Sequence, residues 1–201
     1  MKLIAHRGIW HNKDEQNTLK AINKTINNNN YIGFECDVRK TSDNNYIINH
    51  DAIYKNKLIS KHPKKYFKKN NILFLDDVLK INTDKIKLIE IKDSNIDIES
   101  INKKLNSNSN NLYVMSFHNK VIESLYNKEH TYKLGVLNYI INSEKEYKYD
   151  FVCLLDRITS KNVLNKYSQT NIEVFIYGIL DGKLKYNNNV FYIINDNILK
   201  K

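Results

Sequence analysis

The sequence predicts an α/β fold, a small (β/α)8 barrel of the TIM type that forms one domain over residues 1–201. Eight short apolar runs recur along the chain, and segments with helical spacing of apolar residues separate most of them. Each run is rich in Val, Ile, Phe and Tyr, which is typical of strands buried on both faces of a parallel sheet. A chain of this length suffices for one domain. An open α/β sheet is the alternative arrangement of the same elements.

The strands and helices follow from these patterns in chain order. The apolar runs predict strands at Leu3–His6, Gly33–Val38, Lys87–Ile91, Leu112–Ser116, Lys133–Leu137, Phe151–Leu155, Glu173–Ile179 and Val190–Ile194. Helical spacing predicts helices at Asn17–Asn28, Leu75–Ile81, Ile96–Leu105, Asn119–Tyr126, Ile140–Tyr147 and Lys161–Tyr167. Because the two element types alternate, we expect parallel strands covered by helices.

The C-terminal third is too short for a complete outer ring of helices. Barrels of this type usually have about 250 residues. Only a turn and loop, Leu180–Asn189, separate the last two predicted strands, and only Asn195–Lys201 follow the eighth. We therefore expect the outer helices near the C-terminus to be missing or vestigial.

The composition constrains location and partners. The formal net charge is +10, yet only three of the 32 basic residues are arginine. We expect most of this charge to lie on solvated surface, with a smaller part available to attract an anionic partner. The chain has no run of about 18 apolar residues that could cross a membrane, and from its first residues we expect no signal peptide. Cys36 and Cys153 lie in apolar runs, as reduced core thiols do. These features predict a cytoplasmic protein.

Acidic side chains and histidines stand near the ends of the predicted strands, where the active sites of such barrels lie. Glu35 and Asp37 are two residues apart in one strand and therefore project from the same face, and Glu90 lies near the end of the next strand. Three carboxylates at one rim repel each other unless a cation neutralises them, and oxygen ligands favour Mg²⁺ or Ca²⁺. His6 and His50 accompany them.

Motifs around these residues are ordered along the first part of the chain. They are His6-Arg7-Gly8, Gln16-Asn17-Thr18, Glu35-Cys36-Asp37-Val38, Thr41-Ser42-Asp43, Ile47-Ile48-Asn49-His50-Asp51, Leu75-Asp76-Asp77-Val78-Leu79, Glu90-Ile91-Lys92 and Ser116-Phe117. Over residues 4–117 this pattern resembles the glycerophosphodiester phosphodiesterases, part of the phospholipase-C-like phosphodiesterase superfamily. Three positions depart from the family pattern, because Glu15 replaces a proline, Gln16 replaces a glutamate and Tyr177 replaces a tryptophan. Beyond residue 117 the resemblance thins.

The resemblance implies an enzyme that hydrolyses glycerophosphodiesters to glycerol 3-phosphate and an alcohol. It implies one divalent ion, Mg²⁺ or Ca²⁺ with Mn²⁺ as a further option, on ligands Glu35, Asp37 and Glu90. His6 and His50 would form the general acid and base pair, since imidazole titrates near neutral pH. Four residues are predicted to bind phosphate or substrate: Arg7, Lys92, Ser116 and Tyr177.

Two alternatives to this function stay open. A phospholipase-D-type lyase of the same barrel family would form a cyclic phosphate. A non-catalytic binder of phosphate or nucleic acid would use the positive charge, although the chain lacks the interleaved aromatic and basic pattern that favours nucleic acid. The segment Lys55–Lys69 contains seven lysines and is predicted either as a solvated loop or as a site of weak association with an anionic membrane or substrate.

Several remaining side chains are predicted to be structural. Cys36 points away from Glu35 and Asp37 and is expected in the core. Arg39 is expected to form a structural ion pair. Trp10 is a candidate for the pocket wall, and the other histidines are expected on the surface or in loops: His11, His62, His118 and His130.

Overall fold

Eight parallel strands close into a barrel in the computed structural model, which describes residues 1–70, 72–139, 148–180, 184 and 190–198. The strands are β1 (Lys2–Ala5), β2 (Gly33–Lys40), β3 (Tyr46–Ile48), β4 (Ile53–Tyr54), β5 (Lys57–Leu58), β6 (Ile86–Ile91), β7 (Leu112–Ser116), β8 (Lys133–Asn138), β9 (Phe151–Leu155), β10 (Glu173–Tyr177) and β11 (Val190–Ile194). All except β3, β4 and β5 belong to the barrel. Strand β1 pairs with both β11 and β2, which closes the ring. The predicted barrel is confirmed.

Helices cover the barrel, and polar side chains cap the first turns of three of them. The helices are α1 (Leu19–Ile26), α2 (Lys64–Lys68), α3 (Leu75–Leu79), α4 (Ile98–Asn106), α5 (Asn119–Tyr126) and α6 (Lys161–Ser168). Thr18, Asp97 and Ser160 each accept a hydrogen bond from a backbone amide in the first turn of α1, α4 and α6. A side-chain oxygen there satisfies an amide that has no partner within the helix.

Buried apolar residues form two main layers. The inner layer fills the barrel interior with large side chains such as Tyr113, Phe151 and Phe175. The outer layer packs the other face of each strand against the helices. Because successive strand residues alternate between these layers, Cys36 lies in the outer layer and Cys153 in the inner one, and both are free thiols.

The predicted elements agree closely with the observed ones over the described residues. All eight barrel strands lie where the apolar runs place them, and α5 has the predicted bounds. The helix predicted over residues 140–147 lies outside the described residues, as does most of the loop predicted over residues 180–189. A single 3₁₀ turn, Asp196–Ile198, follows β11 in the described part of the chain. Among the described residues, no helix combines the length and apolar character needed to cross a bilayer.

The segment after β2 carries structure that the apolar runs did not predict. Strand β3 pairs antiparallel with the end of β2. A two-stranded hairpin, β4 with β5, and the short helix α2 follow it. The segment Lys55–Lys69 is therefore folded and anchored, because Ile59 and Phe67 are fully buried while most of its lysines are exposed.

Candidate active site

Three carboxylates converge at the carboxyl end of the barrel, the end at which its parallel strands terminate. Glu35 and Asp37 project from the same face of β2, and the register pairs Asp37 with Glu90 on the neighbouring strand β6. Each offers an oxygen within 4.8 Å of the other two. All three side chains are buried. The carboxylates predicted from alternation along β2 are thus brought together with the one from β6.

The hydrogen bonding of this triad is incomplete. The Arg7 amide donates to Glu35 Oε2 at 3.0 Å, and the Asn17 side-chain amide donates to Asp37 Oδ2 at 2.8 Å. Glu35 Oε1 and Asp37 Oδ1 have no hydrogen-bond partner among the described residues. Buried polar atoms are nearly always satisfied, so two buried carboxylate oxygens that accept no hydrogen bond from the described residues indicate a position for a cation.

The pKa values of the triad carboxyls are shifted by the same burial and crowding of negative charge. Burial, followed by the charges of Asp37 and Glu90, raises the pKa of Glu35 well above its ordinary value. Burial and the charge of Asp37 also raise the pKa of Glu90. A divalent ion bound between these oxygens would favour their charged forms. The donor set of three buried carboxylates therefore fits a hard divalent cation.

Two cationic side chains flank the triad. Arg7 Nε lies 3.2 Å from Asp37 Oδ2, and Lys92 Nζ lies 2.7 Å from Glu90 Oε1 and 3.6 Å from Asp37 Oδ1. Arg7 is held in this place by a sharp turn, in which Arg7 (φ 60°) and Gly8 (φ 76°) both adopt left-handed backbone conformations. A Cβ atom at Gly8 would lie 2.7 Å from the backbone carbon of Ala21, so only glycine fits there.

The His6 ring is oriented by a residue from the other end of the chain. Its Nδ1 lies 2.7 Å from Asn195 Oδ1, and its Nε2 lies 3.9 Å from Glu35 Oε2. Burial, followed by the charge of Arg7, lowers the pKa of His6 to about 4. The ring is therefore neutral at neutral pH, and the Asn195 carbonyl oxygen assigns the proton to Nδ1. This leaves the Nε2 lone pair facing the triad.

His50 has a different environment. It is 39% exposed, and its Nδ1 lies 2.8 Å from Asp51 Oδ1. Arg39 donates two hydrogen bonds to the His50 carbonyl and forms an ion pair with Asp93 at 2.8 Å. The structural ion pair predicted for Arg39 is present, with Asp93 as its partner.

The remaining predicted site residues lie close by. The buried Ser116 hydroxyl donates to the Ile91 carbonyl at 2.7 Å and accepts from the His118 amide at 3.0 Å, so both contacts go to backbone. Tyr177 ends β10, its ring meets Phe117 edge-on, and its buried Oη has no hydrogen-bond partner among the described residues. Trp10 Nε1 donates to the His6 carbonyl at 3.0 Å.

A cavity of about 660 Å³ is lined in part by Arg7 and Asn17, both of which contact the triad carboxylate Asp37. Arg7 and His50 line it together with residues of two segments, the loop that carries Gln16 and the hairpin β4–β5. Arg7 Nη1 donates to Gln16 Oε1 at 2.7 Å, so the glutamine that departs from the family motif orients the guanidinium. A cavity of this size accommodates a small phosphodiester.

Comparisons with known proteins identify the fold. A glycerophosphodiester phosphodiesterase structure from Agrobacterium tumefaciens superimposes with a TM-score of 0.79 at 13% identity, over 98% of this chain and 96% of that one. A Thermotoga maritima glycerophosphodiester phosphodiesterase gives 0.76 at 21% identity, over 95% and 93%. An Oleispira antarctica phosphodiesterase in complex with the product sn-glycerol-3-phosphate gives 0.79 at 16% identity, over 100% and 96%.

The chain has the glycerophosphodiester phosphodiesterase fold. The likeness covers the C-terminal third as well, where the sequence motifs thin out. No protein-family model and no curated protein sequence matches this chain.

Two site residues were not predicted as contributors. Asn195 contacts His6 across the closed barrel, between residues 189 positions apart, and no local pattern reveals such a contact. Asn17 exchanges two hydrogen bonds with Asp37 from a left-handed conformation (φ 57°). The Gln16-Asn17-Thr18 motif could have indicated this role for Asn17. Asparagine adopts the left-handed conformation more readily than most residues with a side chain.

Proposed function

We propose that this chain is a metal-dependent phosphodiesterase that hydrolyses glycerophosphodiesters to glycerol 3-phosphate and an alcohol. The observation that carries the proposal is the buried triad of Glu35, Asp37 and Glu90, in which two oxygens accept no hydrogen bond from the described residues, set beside Arg7 and Lys92. The fold shared with glycerophosphodiester phosphodiesterases supports the substrate class, and one such neighbour is complexed with sn-glycerol-3-phosphate.

The triad would hold one divalent ion, Mg²⁺, Ca²⁺ or Mn²⁺. When bound, this ion supplies positive charge that stabilises the charge developing on the phosphoryl oxygens. Arg7 and Lys92 bind non-bridging phosphate oxygens from either side of the triad, and the arginine can do so with two parallel hydrogen bonds. Gln16 and Asp37 hold the guanidinium in the orientation that this contact requires.

The environments of the two histidines support different roles. Asn195 holds the His6 ring with its Nε2 facing the triad, so we assign it the role of the general base that accepts the proton of the attacking group, a water molecule or the neighbouring hydroxyl of the substrate. His50 lines the cavity, and its Nδ1 is held 2.8 Å from Asp51 Oδ1, so we assign it the role of the general acid that donates a proton to the leaving oxygen. The proposal thus assigns the roles of base and acid, which the sequence left open, to His6 and His50 respectively.

An activity screen tests the proposal. The substrates are glycerophosphocholine, glycerophosphoethanolamine, glycerophosphoglycerol and lysophospholipids, each with Mg²⁺, Ca²⁺ or Mn²⁺ and with EDTA as the metal-free control. We expect glycerol 3-phosphate with at least one metal and none in EDTA. Phosphorus NMR of the products separates hydrolysis from the lyase alternative, because a cyclic phosphate as the final product would replace glycerol 3-phosphate. Full activity in EDTA would refute the metal site.

His50→Ala tests the general acid. We expect kcat to fall by roughly 10²–10⁴-fold, the usual contribution of a positioned acid or base. His62→Ala is the matched control, because His62 lies further along the same segment and contacts the Leu58 carbonyl and the Tyr66 ring instead of the site. Equal rates for the two variants would remove His50 from the mechanism.

A further inference from the structure

Large apolar side chains are exposed on the carboxyl end of the barrel. Of the eight exposed large hydrophobic residues in the described part of the chain, five lie in segments that follow barrel strands at this end, and we call them the apolar rim: Ile53, Leu58, Tyr139, Ile158 and Leu180. The last three follow the strands β8, β9 and β10. Isolated exposed apolar residues are ordinary, but their concentration on one face marks an interaction surface.

The hairpin β4–β5 presents two of these side chains in a defined geometry. Ile53 and Leu58 are cross-strand partners, 58% and 42% exposed, and the hairpin borders the cavity that Arg7 and His50 line. The turn between the strands places Lys55 (φ 44°) and Asn56 (φ 59°) in left-handed conformations, as a tight two-residue hairpin requires. This turn therefore keeps the side chains of Ile53 and Leu58 exposed to solvent beside the cavity.

Positive charge accompanies the apolar pair. The segment from residue 55 to residue 69 has seven lysines and no acidic residue. Lys57 lies in the hairpin next to Leu58, Lys61 follows one short turn later, and both are exposed. Lysines around exposed aliphatic side chains are typical of protein surfaces that lie on anionic lipid.

We propose that the carboxyl end of the barrel docks on an anionic lipid bilayer, with the apolar rim inserted among the headgroups and Lys57 and Lys61 against the anionic charge. A nucleic acid would satisfy the lysines but would leave Ile53 and Leu58 without an apolar partner, whereas a bilayer accommodates both groups. Docking in this orientation would turn the cavity mouth toward the lipid headgroups. The surface does not depend on the proposed catalysis, since none of these side chains belongs to the triad.

Vesicle sedimentation tests the docking surface without any substrate. The parent protein is expected to sediment with vesicles of equal parts phosphatidylglycerol and phosphatidylcholine and to remain in solution with pure phosphatidylcholine. The double variants Ile53→Ser/Leu58→Ser and Lys57→Gln/Lys61→Gln should each lower the partition coefficient roughly tenfold. Only the lysine variant should also weaken the dependence of binding on salt.

Control variants keep the result interpretable. Lys80→Gln/Lys103→Gln removes the same charge from two exposed positions away from the rim, one just after α3 and one within α4, and should bind as the parent does. Thermal unfolding confirms that each variant is folded. The proposal is overturned if the parent does not bind anionic vesicles or if Ile53→Ser/Leu58→Ser binds them as tightly as the parent. Binding of the parent to DNA but not to vesicles would also overturn it. An inactive protein that still binds vesicles would refute the proposed function alone.

Discussion

The charged side chains at the two ends of the barrel differ in how completely they are paired. At the amino end, Lys133 Nζ lies 2.9 Å from both Glu173 Oε2 and Tyr113 Oη, and the buried Lys87 donates to the Leu79 carbonyl at 2.9 Å. At the carboxyl end, Glu35 and Asp37 each keep a buried oxygen without a hydrogen-bond partner among the described residues. Satisfied charge stabilises a fold, whereas unsatisfied charge lowers stability unless a ligand completes it.

The largest effect is expected from Glu35→Gln, which removes one negative charge from the triad while conserving shape. Activity should fall by about 10³-fold or more, since metal binding needs the carboxylate. The free energy of unfolding in EDTA should rise by about 1 kcal/mol, because like-charge repulsion and charge burial are relieved. Steady-state kinetics and urea unfolding measure the two effects.

Glu173→Gln is the matched change at the amino end. It should leave activity unchanged and lower stability by about 0.2–1 kcal/mol, the range for a partly exposed ion pair. If both variants lowered stability alike, the contrast between the two ends would be wrong.

Metal addition should have the next largest effect. A ligand that binds only the folded state at 100 times its Kd adds about 2.7 kcal/mol of stability. We expect Mg²⁺ or Ca²⁺ to raise the Tm of the parent and of Glu173→Gln, and to leave that of Glu35→Gln nearly unchanged. Thermal unfolding with and without EDTA gives the comparison, and an equal rise in all three proteins would place the metal elsewhere.

A smaller effect is expected at Asn195, which acts through His6. Asn195→Leu removes the acceptor for His6 Nδ1 and should lower kcat by roughly 10–100-fold, the usual effect of losing a partner behind a functional imidazole, with KM little changed. Asn195→Asp restores an acceptor oxygen and should recover most of kcat. Failure of Asn195→Leu to lower kcat would show that the contact does not position the ring.

The smallest effect concerns Glu15, a satisfied carboxylate at the carboxyl end. Hydrogen bonds from Lys20, the His11 amide and Lys24 lower the pKa of Glu15 to about 2. Folding lowers the pKa of this carboxyl below the value of about 4.5 that it has in the unfolded chain. The charged carboxylate therefore stabilises the folded protein at pH values above about 4.5, and this contribution is lost as the pH falls toward 2. The Tm difference between the parent and Glu15→Gln should therefore be present at pH 6 and close near pH 2. A difference independent of pH would contradict this assignment.

Much of this architecture could be predicted from local patterns. Strands buried on both faces need uninterrupted apolar runs, so Leu112–Ser116 and Phe151–Leu155 were predicted with their observed bounds. Alternation placed Glu35 and Asp37 together, since side chains two apart share a face. The hairpin β4–β5 escaped prediction because its turn uses Lys55 and Asn56 where glycine is the usual signal.

By itself the sequence determined the barrel, the acidic pair on β2 and the histidines near it, because these depend on periodicity along single segments. The tertiary structure decided the rest. The register of β2 against β6 places Glu90 opposite Asp37, and closure of β11 against β1 brings Asn195 to His6. Only closure also collects the apolar rim on one face. Contacts between distant segments depend on strand order and register, which no local pattern encodes.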